Sequence, residues 1–423
     1  MRCMIQTLSA TCFALFLGCS ASAAPFFGQH VFYAPTFNQL AANPFDGIRI
    51  WGTPATIWRG IEPSAGTYDF SALDGIVTPA VAQNRDILLT LGQTPAWASS
   101  RPAELGSMGL GAAAEPSDMG SWSSYVQTVA SRYRGKIASY EVMNEPRIPE
   151  AIAMVSPGFF SGSTAKLITM TQLARAAINT AAPGSTLVCP SMDGDNAGVA
   201  RLKYFLSQGG GQNCDAIGFH FYLNTWSVSD FQSLLAQVKQ VMAQYGQGNK
   251  PLWDTEIGVL VAQSGNNVVA PQSSGPLSVV FQDAAAARVM SKIMLASIAG
   301  GVSRTYWFAY DSSSMGSTGP NKNQQQLNQL GVAYQTMHNW LAGATLGACS
   351  VSDVQGSCNV VRDNVVTGMI VWGTSYTQSS LQQLNIRTIS LLNGSQYAVS
   401  SLTASQTPAT LSNQFQDPML ISY

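Results

Sequence analysis

Two glutamates stand at the ends of short strand-like runs, and together they have the makings of an acid and a nucleophile. Glu145 sits in Ser139-Tyr140-Glu141-Val142-Met143-Asn144-Glu145-Pro146, and Glu256 near the end of Lys250-Pro251-Leu252-Trp253-Asp254-Thr255-Glu256-Ile257-Gly258. One carboxylate does not cleave a glycosidic bond. That reaction takes two, facing each other across the bond, and a separation of roughly 5 to 5.5 Å selects the retaining course. One must then hold a proton near neutral pH while the other stays ionised, so their surroundings must push the two pKa values apart. The amide of Asn144 beside Glu145 suits the presentation of an acid to a sugar. Side chains alternate along a strand, so an extended run would put Glu141, Met143 and Glu145 on one face. Pro146, with no N–H, should end the pairing.

The elements that must bring Glu145 and Glu256 together are legible as a repeat of strand and helix signals. Short apolar runs occur at Phe26–Val31, Gly47–Trp51, Asp86–Leu91, Ile137–Met143, Thr186–Cys189, Ala216–Phe221, Pro251–Thr255 and Arg304–Phe308. Helical periodicity separates most of them, as over Trp122–Tyr133, Ala165–Ala181, Phe231–Tyr245 and Asp283–Ala299. Eight such units predict an α/β fold, a closed (β/α)8 TIM barrel over residues 24–345, whose active face is built by the loops after the strands. Those loops are the long ones, 101–118, 263–276 and 312–326. Strands four and seven carry the two glutamates, so closure brings both to one face. After Trp340 the helical period fades. Thr367–Trp372 and Leu384–Leu391 read as strands and Asn393-Gly394 as a hairpin turn. Residues 346–423 are expected to form a small antiparallel β-domain, a sandwich packed on the barrel through a fixed interface.

Composition narrows the partners. A net charge of −1 argues against nucleic acid, and only 10% of the 423 residues are charged, leaving a surface of neutral polar groups. Residues 1–23 read as a signal peptide: Arg2, an apolar run, then Ala21-Ser22-Ala23 as a small-residue cleavage signal. A secreted or periplasmic protein is expected, with a lipid anchor on Cys19 as the alternative, and no later stretch is long and apolar enough to span a membrane. Four cysteines lie beyond the leader. An even number in an exported chain suggests disulfides, and proximity pairs Cys189 with Cys214 and Cys349 with Cys358; buried thiols are the alternative. The scattered His30, His220 and His338 do not have zinc spacing, so no metal is expected. Nucleophile-elbow, dinucleotide and phosphate-loop motifs are missing from the sequence, and no cofactor is expected. A monomer is the expected state.

Asn144-Glu145-Pro146, Glu256 and the strand-eight Trp307 together resemble glycoside hydrolase clan A. The runs 88–99, 218–222, 251–256 and 306–311 further resemble family 39 of that clan, most nearly bacterial endoglycosidases that cut exopolysaccharide and more distantly β-xylosidases. The resemblance covers nearly the whole chain after the leader. It implies a retaining hydrolase of β-glycosidic bonds in a polysaccharide, with Glu145 as acid/base and Glu256 as nucleophile. It implies that Asn144 holds the sugar 2-hydroxyl, Tyr222 bonds the nucleophile, His220 lines the site, Trp307 floors the −1 subsite and Arg49 lies near the nucleophile. Met143 departs from the pattern, which commonly has Trp there. Alternatives stand beside these roles. Glu141 and Asp254 are rival carboxylates on the same strands, Arg49 could serve only to neutralise Glu141, and His220 could be structural. Trp51, Trp58, Trp97 and Trp226 are sugar platforms or packing; Trp122, Trp253 and Trp340 read as core. An exo-acting β-xylosidase and a carbohydrate-binding protein without catalysis are the alternative functions.

Overall fold

The computed structural model describes residues 26–423 apart from 35–37, 39–40, 42–44, 153–155, 195, 265–266, 269–270, 272–275, 313–314, 316, 319–326 and 403–415. The leader, with Cys19, lies outside the described residues, as do parts of the loops 263–276 and 312–326.

Eight strand positions form a parallel barrel. They are β1 Phe27–Val31, β2 Gly47–Ile50, β3 Asp86–Leu91, β4 Ser139–Val142, β5 Thr186–Val188 with a continuation at Met192–Asp193, β6 Ile217–His220, β7 Leu252–Ile257 and β8 Arg304–Trp307. β1 pairs with both β2 and β8. Closure runs through the split fifth strand: Thr186–Val188 pairs with β4, Met192–Asp193 pairs with β6, and a bridge joins Val188 to Ala216. Pro190, which cannot donate, lies in the gap. The expected Thr186–Cys189 strand is therefore longer and interrupted.

A helix follows each strand from β2 onward: α1 Ser71–Ala82, α2 Met119–Arg132, α3 Thr164–Ala181, α4 Asn196–Ser207, α5 Val228–Gln244, α6 Asp283–Ala299 and α7 Gln329–Leu341. Several begin a few residues before the apolar period does, because a polar residue caps them. Asp118 accepts from the backbone of Gly120 and Ser121, Ser163 from Lys166 and Ser227 from Asp230.

The interior of the barrel is divided. Leu88, Val188, Ala216, Trp253 and Tyr306 form a small apolar cluster of their own. One step up each strand the inward positions turn polar: Arg49, Thr90, Glu141, Ser191 and Thr255 are all buried. The close fit there depends on glycine. A Cβ on Gly218 would lie 2.0 Å from Ser191 Oγ, the hydroxyl that donates to Glu141.

The C-terminal region corrects one expectation. In place of a two-layer sandwich, the described residues form one six-stranded antiparallel sheet. Its strands are β9 Thr345–Val351, β10 Gly356–Arg362, β11 Val365–Trp372, β12 Thr388–Leu391, β13 Gln396–Ala398 and β14 Met419–Ser422, in the order β9-β10-β11-β14-β12-β13. A second sheet is not needed to cover it. Leu346, Val360, Ile370 and Trp372 on one face belong to the same buried cluster as the barrel's shell. The opposite face buries Val371, Ile389 and Ile421 with Leu381 of the short helix α8 Gln378–Gln383. That helix, capped by Thr377, occupies the approach to the expected Leu384–Leu391 strand, which begins only at Thr388. Gly394 turns the β12–β13 hairpin with φ +83°. Trp340 Nε1 donates to Ser390 Oγ at 2.9 Å and Val228 N to Asp353 Oδ1 at 2.6 Å, which fixes the sheet to the barrel. Both expected cysteine pairs, Cys189–Cys214 and Cys349–Cys358, are disulfide-bonded. Among the described residues no helix is long and apolar enough to cross a membrane.

Candidate active site

Glu145 and Glu256 meet at the C-terminal mouth of the barrel. One oxygen of each and a ring nitrogen of His220 all lie within 4.8 Å of one another. Two breaks in strand geometry aim them. β4 ends at Val142, and Met143 and Glu145 adopt left-handed φ of 56° and 40°. The expected alternation through Glu145 therefore fails, and the turn swings its carboxylate toward β6, where Oε1 meets His220 Nδ1 at 2.9 Å. In β7 the register slips between Asp254 and Ile257, a bulge of the kind that re-aims a side chain. Left-handed backbone at a non-glycine residue is costly and collects at functional sites.

Beneath the pair lies Arg49, with no exposed surface. Its Nε and Nη2 donate to Glu141 Oε2 at 3.0 and 2.7 Å, Nη2 also to Asn144 Oδ1 at 2.7 Å, and Nη1 to Glu256 Oε2 at 2.6 Å. Since Oδ1 of Asn144 is taken, its amide presents Nδ2 as a donor. Tyr222 Oη donates to the other oxygen of Glu256 at 3.0 Å. Thr90 donates to Glu141 at 2.6 Å and Ser191 shares a 2.7 Å bond with Thr255.

The surroundings treat the two glutamates differently. Burial first, and then the charge of Asp193, push Glu145 up to about 8. Burial also raises Glu256, but Arg49 and the Tyr222 hydroxyl work the other way. His220 is itself held below its usual value by burial, so the cation that stays beside Glu256 at neutral pH is Arg49. The Arg49 cation in contact with Glu256 favours its charged form, while burial favours the protonated form of Glu145. The same three groups have the donor types of a metal site. The guanidinium on Glu256 already supplies positive charge there, and His220 Nδ1 is committed to Glu145.

A family model described as glycosyl hydrolase catalytic core matches residues 121–334, half of the chain. The chain belongs to that family. An endo-1,4-beta-xylanase of Agaricus bisporus is 31% identical over 177 residues, which cover 41% of this chain and 48% of the xylanase; the match thus spans about half the length of that relative. A family 39 glycoside hydrolase from Bacteroides cellulosilyticus WH2 superposes with a TM-score of 0.69 at 14% identity, over 95% of this chain and 81% of that one. A monomeric beta-xylosidase from Caulobacter crescentus CB15 gives a TM-score of 0.55 at 14% identity, over 83% and 74%. These two likenesses show the barrel with its β-domain.

In this glycosyl hydrolase core, Asn144, Glu145, Tyr222 and Glu256 line a cavity of about 610 Å³ with Trp51, Phe159 and Phe308 among its walls. Met108, Leu277 and Met315, from the long loops after β3, β7 and β8, line it too. Arg49 and His220 are fully buried and hold the carboxylates from below. Trp307 is only 1% exposed and is not among the residues that line the cavity, although its chain neighbour Phe308 is. Trp226 is buried edge-on against Tyr222, ring centroids 6.1 Å apart, and so braces Tyr222. Trp97 is 37% exposed and lies outside the cavity wall, its indole bonded to Glu62 O at 3.0 Å. The rival carboxylates Glu141 and Asp254 have no exposed surface. Met143, where Trp is common, is fully buried against Gly92, on which a Cβ would lie 2.3 Å from its sulfur. Arg147, Asp193 and Arg201 form a charged stretch of the wall that is absent from the residues singled out by type and spacing. Arg147 follows Glu145 by two residues, which is a usable signal; Asp193 sits on the unforeseen second half of β5.

Arg49→Met should destabilise this hydrolase core by about 3–5 kcal/mol, because it strands Glu141 and Glu256 as buried carboxylates without their cation. Urea unfolding measures it. A midpoint unchanged from wild type would mean that Arg49 does not hold the two charges.

Proposed function

We propose that this protein is a retaining glycoside hydrolase that cleaves β-glycosidic bonds within an extracellular polysaccharide. The observation that carries the reading is the approach of the Glu145 and Glu256 oxygens to within 4.8 Å. It suits a nucleophile and an acid acting on opposite sides of one bond, and it leaves no room for the water that an inverting pair admits, at about 6.5–9.5 Å. Glu256 attacks the anomeric carbon while Glu145 protonates the departing oxygen. Glu145, now a carboxylate, then takes a proton from water, which displaces Glu256 with overall retention. Asn144 donates to the sugar 2-hydroxyl, Tyr222 and Arg49 hold Glu256, His220 orients Glu145, and Trp307 backs the sugar-binding floor. The two disulfides suit a secreted or periplasmic setting.

Endo action is the favoured mode, supported by the xylanase relative and by a cavity that long loops border. The test is product analysis on β-linked polysaccharides, xylan and bacterial exopolysaccharides included, with the anomer of the first product read by NMR. A ladder of β-anomeric oligomers is expected. Monosaccharide alone would move the reading to an exo β-xylosidase, an α-anomeric first product would overturn retention, and no release from any polymer would leave a binding protein.

A further inference from the structure

His30 takes no part in that mechanism, yet it lies on β1 directly beside Arg49 of β2 and has no exposed surface. Its Nδ1 is 3.4 Å from Arg49 Nη1, and its Nε2 is 2.9 Å from the carbonyl oxygen of Trp51. We propose that His30 is a positioning residue of this site: as the neutral ring with its proton on Nε2, it locks the guanidinium beneath Glu256 with one nitrogen and fixes the Trp51 wall of the cavity with the other. The proposal rests on the reading of the cavity as a glycoside hydrolase site.

The tautomer follows from the partners. Arg49 carries only donors, and the Trp51 carbonyl can only accept. Nδ1 must therefore receive a bond and Nε2–H must give one, which leaves a single form of the ring. A protonated ring would set N–H against N–H at Arg49. Burial and then the Arg49 charge hold the imidazole well below its usual value, in keeping with the neutral form.

The bond to Arg49 completes the guanidinium's set. Arginine has five N–H groups in a fixed fork. Two of them meet Glu141, one meets Asn144 and one meets Glu256. The fifth, the second hydrogen of Nη1, goes to His30. Nη1 thus spans the nucleophile and the histidine, and His30 sets the rotation of the group that bonds Glu256. Without that acceptor a buried N–H is left unpaired, and the guanidinium is no longer held on both sides of Nη1. Loss of this bond should act on the nucleophile, and so on kcat.

The bond to Trp51 acts on sugar binding. Trp51, Phe32 and Phe308 all line the cavity. The His30 ring packs against Phe32 and Phe308 at centroid distances of 4.4 and 4.7 Å. Trp51 in turn stands edge-on to Phe159, another wall residue, across 5.2 Å. One buried ring therefore supports the aromatic wall from behind, and loss of its Nε2 bond should show in KM.

Substitution separates the two bonds. Asparagine places an oxygen near Nδ1 and no donor near Nε2. Glutamine places an amide NH2 near Nε2 and no acceptor near Nδ1. Phenylalanine keeps a ring and removes both. On the polysaccharide that wild type cuts fastest, His30→Gln should lower kcat by about tenfold with KM within about threefold of wild type. His30→Asn should raise KM by about tenfold with the smaller change in kcat, and His30→Phe should do both. Proton–nitrogen NMR correlation spectra read the same bonds without turnover. They should show His30 neutral with its proton on Nε2. The Arg49 Nη protons should be resolved in wild type and His30→Asn and merge in His30→Gln and His30→Phe, as the guanidinium begins to rotate. A cationic His30, a proton on Nδ1, merged Arg49 signals in wild type, or the same pattern of kcat and KM in the asparagine and glutamine variants would overturn the positioning role. If wild type cuts no polymer, the hydrolase reading falls and the spectra alone decide whether His30 holds Arg49.

Discussion

Glu256→Gln is expected to abolish turnover, with kcat reduced on the order of 10^4-fold or more on any accepted substrate, because no covalent intermediate can form. Glutamine keeps the volume and one acceptor for Arg49, so the unfolding midpoint should stay near wild type and the loss can be assigned to chemistry. Arg49 and Tyr222 each hold one oxygen of Glu256, which orients the carboxylate for attack and disperses its charge. The amide accepts from Arg49 through its oxygen and donates to the Tyr222 hydroxyl through its NH2, and it is no nucleophile. Mass spectrometry gives an independent reading. A 2-fluoro glycoside of an accepted sugar should add one glycosyl unit to wild type and none to Glu256→Gln. A variant that keeps activity within tenfold of wild type, or that still takes the label, would remove Glu256 from the role.

The barrel was readable because its strands are short apolar runs bounded by turns. β3, Asp-Ile-Leu-Leu-Thr-Leu, is covered on both faces and therefore nearly continuous in apolar character. Helices such as α6 showed their period over the same residues the structure gives, Asp283–Ala299. The catalytic candidates were readable for a different reason: each sits at the C-terminal end of a strand, and closure of the barrel sends all such ends to one face. Burial was not readable. Arg49 and His220 look like substrate contacts by residue type, yet both lie beneath the cavity and act on it through the glutamates.

What stayed hidden is local backbone geometry. No propensity announces left-handed φ at Met143 and Glu145, residues that rarely adopt it, nor the register slip before Ile257. Both are settled by tertiary contacts, here the His220 ring for Glu145 and the pairing of β7 with β8 for Glu256. The split in β5 had a signal in Pro190, but its consequence, Asp193 on the cavity wall between two arginines, is a fact of three dimensions. Trp97 and Trp226 show the limit of residue type from the other direction. An indole suits a sugar platform, but one of these lies outside the cavity and the other is packed behind Tyr222.

Glu145→Ala should have a different fate from Glu256→Gln, because it removes a proton carrier and spares the nucleophile. With an aryl glycoside whose leaving group departs without protonation, the first step should survive and the glycosyl-enzyme should accumulate, since no base remains to activate water. A burst of aryl release followed by a slow steady state is the expected trace. Azide needs no general base, so it should restore turnover and give a β-glycosyl azide from a β-glycoside. The pH profile supplies a second signature. Burial and Asp193 hold the Glu145 proton up to about 8. The protonated form is the one that protonates the leaving oxygen, so wild-type kcat/KM on a poor leaving group should be full below that value and fall as pH rises through it. Glu145→Ala should lack this alkaline limb while keeping the acidic one, where Glu256 must lose its proton. If azide rescues the Glu256 variant with retention and leaves Glu145→Ala unchanged, the two roles are reversed. If Glu145→Ala keeps the wild-type rate on poor leaving groups and the same alkaline limb, the proton comes from another residue and Glu145 is not the acid.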